Sequence, residues 1–152
     1  MRDAVDAAER YEIEHATRDR KALLIVTDGN DNASLISADQ IRQQAEQHEI
    51  VIYAVGLLLD QSSSTAKRAR HELEDLAMRT GGTTYYPTTV DDIDSVALDL
   101  ARQIRNQYTI AYAPLNQALD GSYRTIRLVV AGPEHATVRT RAGYRATITR
   151  PT

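Results

Sequence analysis

The chain has 152 residues, 42% hydrophobic and 26% charged, the size and balance of one globular domain with a modest core. It contains no Phe, Trp or Cys, so Leu, Ile, Val, Ala and Tyr must build that core, and disulfides, thiolate metal sites and a cysteine nucleophile are excluded. The net charge of −3 is uneven: six arginines and one acid, Glu134, lie from Gly121 onward, so the preceding stretch, with 12 basic and 20 acidic residues, carries −8.

Ala4, Ala8, Tyr11 and His15 recur at helical steps and predict an amphipathic first helix with that inner face and no N-cap of its own. Lys21–Thr27 follows as an apolar strand without alternation, the pattern of a strand covered on both faces in a parallel sheet. Ser37 with Gln40 three residues on is a capping-box signal, and Ile41, Ala45 and His48 mark one face of the helix it opens. Residues 50–59, IVIYAVGLLL, predict a second doubly covered strand. Ala69, Leu73 and Leu76 give the next helix, which TGG should end. A short strand over 83–86 closes at Pro87, and Thr89, Asp91 and Asp92 start a helix with Ile93, Val96, Leu100 and Ile104 inward.

Strands and helices alternating at these lengths predict an α/β fold, a doubly wound, mostly parallel sheet with right-handed crossovers, over residues 1–106. After Asn106 the period changes to two. QYTIAYAP, SYRTIRLVV and ATVRTRAGY read as strands joined by turn-rich connectors, a C-terminal antiparallel β extension over 107–152 packed on the same unit. No run approaches the roughly 20 apolar residues that span a bilayer, and MRDAVDAAERYEIE lacks the apolar stretch of a signal peptide, so a soluble chain is expected. Arginines on an exposed sheet face serve solvation and edge protection more often than phosphate binding, so a nucleic-acid partner is not expected.

Ligands of open α/β sheets bind at the C-terminal ends of the strands. There Lys21–Thr27 runs into Asp28, Gly29, Asn30, Asp31 and Asn32, which offer oxygen ligands suited to Mg²⁺, Mn²⁺ or Ca²⁺ rather than zinc. The same residues also suit a turn that merely prepares the next helix.

KALLIVTDGNDNAS, IVIYAVGL and ELEDLAMRTGGTTYYP, in this order, resemble the second half of a von Willebrand factor A (VWA) domain. YTIAYAPLNQALDGSYRTIRLVV and VRTRAGYRA extend the resemblance to the bacterial VWFA-related group, over nearly the whole chain. The resemblance implies a noncatalytic protein-binding or adhesion module. In this family a Rossmann-like sheet holds a divalent cation at a metal-ion-dependent adhesion site, and a carboxylate of the partner completes its coordination. Asp28 matches the family's aspartate after the fourth strand, with Asp31 nearby and Gly29, Asn30 and Asn32 on the partner side. The family's Asp-x-Ser-x-Ser run and its threonine ligand precede the part matched here, so Met1 corresponds to the middle of the family domain and the site is expected to be incomplete, with weak or absent cation binding. Asp60, Ser62 and Ser64 do spell Asp-x-Ser-x-Ser, but a serine run meets that pattern cheaply, and the plainer reading is a polar loop with Ser64 or Thr65 capping a helix.

Without the family's first strand, Lys21–Thr27 becomes an exposed apolar edge, which implies self-association or strand complementation there unless the C-terminal strands fold back over it. An exported or cell-surface location for a full-length parent is likewise implied only by the resemblance. Two other functions fit the residues: an α/β enzyme using Asp28 in phosphoryl transfer or hydrolysis, and a structural fragment without ligand. The enzyme would need a Gly-rich phosphate loop or a Gly-x-Ser-x-Gly elbow, and the sequence contains neither.

Overall fold

The computed structural model describes residues 1–18, 20–27, 34–57, 63–132 and 138–147. Its elements are α1 (Arg2–His15), β1 (Lys21–Thr27), α2 (Ala38–Gln47), β2 (Ile50–Gly56), α3 (Ser64–Thr80), β3 (Thr84–Tyr85), α4 (Asp91–Arg105), β4 (Tyr123–Thr125) and β5 (Gly143–Arg145). The fold is mixed α/β: β1, β2 and β3 form a parallel sheet in that order, and β4 and β5 a small antiparallel one.

The core lies on one face of the parallel sheet. Ile50, Ile52 and Ala54 alternate along β2 and point the same way, and the register sets Leu23 beside Ile52 and Ile25 beside Ala54. Val5 of α1, Ile41 and Ala45 of α2 and Leu73 of α3 close over them. Each fully buried aliphatic side chain contributes about 1.5–3 kcal/mol. On the opposite face, Gln107 donates to the Tyr53 hydroxyl at 2.8 Å, while Tyr85 donates to Asp99 of α4 at 2.5 Å.

The capping box of α2 forms as expected. The Ser37 hydroxyl accepts from the Gln40 amide, and the Gln40 side chain accepts from the Ser37 amide. Helix α3 ends in TGG: Gly81 takes φ 89°, and a side chain on Gly82 would collide with the Ile52 carbonyl 1.9 Å from its Cβ. Its N-cap, however, is Ser63, whose hydroxyl accepts from the Ala66 amide, and Ser64 is the first helical residue rather than the cap.

Four other expectations are corrected. Helix α1 buries Val5, Asp6 and Glu9, while Ala4, Tyr11 and His15 face solvent with the Tyr11 and His15 rings stacked at 4.2 Å. A buried acid interrupts the inward stripe, so apolar spacing selected the wrong face. Strand β1 is covered on one face only: Leu24 is 45% and Val26 59% exposed, because α4 lies against Tyr85 and does not extend over β1. Within α4, Leu100 alone is buried and both Ile93 and Ile104 are exposed. The extension pairs only over three-residue pieces, and QYTIAYAP forms no strand, with Tyr108 92% exposed. Residues 58–59, expected to continue β2, lie outside the described residues.

Candidate functional site

Parallel pairing brings the C-terminal ends of β1 and β2 level, Thr27 beside Gly56, and the Leu57 amide donates to the Thr27 carbonyl at 2.7 Å. Thr27 and Leu57, the last described residues before the Asp28 and Asp60 segments, therefore stand at one rim. Capped N-termini of α2, at Ser37, and α3, at Ser63, follow those segments. Their free amide ends favour oxygen-rich or anionic groups. Of the residues singled out in the sequence, Asp28, Gly29, Asn30, Asp31, Asn32, Asp60 and Ser62 lie outside the described residues, and Ser64 sits exposed in the first turn of α3.

The described carboxylates near this rim are engaged with backbone. The Asp3 carboxylate accepts the Leu35 amide at 3.0 Å and the Ile36 amide at 3.1 Å. In return, the Ser34 hydroxyl accepts from the Met1 ammonium at 3.2 Å and from the Asp3 amide at 3.3 Å. The first helix, which lacks a side-chain cap of its own, thus borrows one from a segment about thirty residues downstream. Asp92 accepts from the Thr89 amide, the Thr88 hydroxyl and the Thr88 amide, each at 2.9 Å, and these bonds hold it below the usual carboxylate range. Both oxygens of Asp3 are engaged in this way, whereas the three bonds to Asp92 all fall on its Oδ2. Among the described residues, no group of three or more His, Asp or Glu is arranged to hold a metal ion.

Sequence reasoning missed two arrangements away from the rim. One is an open cleft of about 360 Å³ lined by Asp39, Arg42, Gln43, Glu46, Arg79, Tyr123 and Arg145, where α2 and α3 meet the antiparallel pair. Asp75 bridges Arg42 at 2.6 Å and Arg79 at 2.8 Å, and Asp39 also pairs with Arg42, so its guanidinium charge is largely balanced. Of these contacts, Asp75 with Arg79 at i,i+4 and Asp39 with Arg42 at i,i+3 have a sequence signal, while Arg42 with Asp75 has none. The other is Glu9, fully buried with both carboxylate oxygens lacking a hydrogen-bond partner. Burial, with the nearby Asp6 charge, pushes its carboxyl up to about 8.

No helix among the described residues is long and apolar enough to cross a membrane. Comparison with protein-family models, curated proteins and solved structures found no match.

Proposed function

We propose that this chain is a noncatalytic VWA-like protein-interaction module, a doubly wound sheet with an incomplete metal-ion-dependent adhesion site at the rim after β1. The observation that supports this reading is the level register of β1 and β2, which sets side by side Thr27 and Gly56, the strand ends that precede Asp28 and Asp60 in the chain. Asp28 is the residue expected to reach a divalent cation, Mg²⁺ or Mn²⁺, with a partner carboxylate as a further ligand. Few protein oxygens accompany it, so binding is weak. The outer place of β1 in the order β1-β2-β3, with Leu24 and Val26 exposed beside it, supports the second element of the reading: a partner strand, from another copy or another protein, completes the sheet at the Lys21 to Thr27 edge.

Calorimetric titration of Mg²⁺ and Mn²⁺ into wild type and Asp28→Ala tests the site. Heat in wild type that disappears in the variant is the expected result, and no heat in either protein overturns the cation reading. Turnover of a phosphate ester by wild type that is lost in Asp28→Ala would replace the binding module with an enzyme.

A further inference from the structure

Helix α1 is held at two places that oppose one another. At its N-terminus it exchanges hydrogen bonds with Ser34, Leu35 and Ile36, the described residues immediately after the Asp28 segment. In its middle it presses a carboxyl into an apolar seat. Glu9 is 0% exposed, and neither oxygen has a partner. One oxygen of Asp6, a turn earlier, is likewise buried and unsatisfied, its other oxygen being bound to Arg10 at 2.9 Å.

The charged groups on the elements packed against α1 do not compensate Glu9. On β1 the Lys21 ammonium lies on the His48 carbonyl. On α2 Arg42 is bound to Asp39 and Asp75, while Glu46 lines the cleft beside Arg79. The α2 residue Gln44 contributes another buried acceptor oxygen without a partner. On α1 itself, Asp6 and half-buried Glu12 are the acids on adjoining turns. Among the described residues the Arg10 guanidinium is bound to Asp6 and no ion pair reaches Glu9, so this surrounding tolerates a neutral acid and opposes a carboxylate.

We propose that α1 is a protonation-controlled latch on the rim: with Glu9 neutral it seats on β1 and α2 and holds Ser34, Leu35 and Ile36, and with Glu9 ionised it leaves that seat and releases them. Ionisation requires water at the carboxylate, and the nearest route is to lift the helix that carries it. Lifting α1 withdraws Asp3 from two amides at once. The latch thereby ties proton activity to the segment after Asp28 whether or not any metal binds there.

Hydrogen exchange of the full chain, followed by NMR from pH 6 to pH 9 and corrected for intrinsic rates, tests the proposal. In wild type, protection of the α1 amides and of Leu35 and Ile36 should fall together by tenfold or more. In Glu9→Gln, and in Glu9→Met should Gln fold poorly, protection should stay within about twofold across the range. In Asp3→Ala the α1 amides should keep their pH dependence while Leu35 and Ile36 no longer follow. Equal pH dependence in wild type and both Glu9 variants overturns the latch. Rim amides that ignore α1 in wild type overturn its coupling.

Discussion

Strands β1 and β2 are neighbours with almost the same composition, KALLIVT against IVIYAVG, paired residue for residue along their length. Their fates differ. Along β2, Ile52 is 0% exposed and Tyr53, on the other face, is buried as well, because the strand is flanked by β1 and β3 and covered above and below. Strand β1 has a neighbour on one side among the described residues, and only its Leu23 and Ile25 face is packed. An apolar run announces that a strand wants cover on both faces. Which strand receives it depends on what stands beside it.

Substitutions on the two strands should separate this comparison most strongly. Ile52→Ala should cost about 4 kcal/mol of unfolding free energy, as truncations at closed core positions do, whereas Leu24→Ala should cost less than about 1 kcal/mol, since its side chain is already half in water. Equal losses in urea denaturation would show that β1 is covered in solution.

The next effect concerns the helix that covers the inner face. The folded Glu9 carboxyl titrates near 8 while an unfolded one titrates near its ordinary value of 4.5, so between these the folded state retains a proton that the unfolded state has released. Stability is therefore greatest below about pH 4.5 as far as this group is concerned, and declines by a few kcal/mol as pH rises toward 8. Glu9→Gln should flatten that decline in denaturation curves taken at successive pH values. An unchanged slope would place the titration elsewhere.

Smaller changes are expected at the caps. Ser37→Ala removes one side of a formed capping box and should cost about 1 kcal/mol, and Ser63→Ala a similar amount, whereas Ser64→Ala should be nearly silent in the same assay. The smallest effect on stability, within about 0.5 kcal/mol, should come from Val26→Lys, which places a charge on the open face of β1. Its consequence should be seen in association: sedimentation velocity should show wild type forming larger species with concentration and the lysine variant staying monomeric.

Much of the α/β part is legible in the sequence because its signals are local. The Ser37 and Gln40 pair, the TGG after α3 and the apolar run of β2 each act within a few residues of where they stand, and each does in the structure what its chemistry dictates. The α1 face was not legible. Its inward stripe contains Glu9, and a pattern that assumes acids face water turns the helix the wrong way. The α1 cap was hidden for a related reason, since Ser34 and Asp3 meet only after the chain has passed through β1. Asp28, Asp31 and Asp60, the oxygen donors expected at a strand rim, lie outside the described residues, and the register shows only that Thr27 and Gly56 end side by side.

The sequence by itself determined the order of helices and strands as far as α4, the caps that start α2 and end α3, the switch to period-two patterning after Asn106 and the concentration of arginine beyond Gly121. Tertiary structure alone decided that β1 keeps one open face, that a carboxyl is sealed beneath α1, and that only three residues each of β4 and β5 pair out of much longer alternating runs. The division has a physical cause. Caps, turns and periodicity are set by bonds between residues near one another in the chain, whereas coverage, desolvation and strand pairing are set by whichever distant surface arrives.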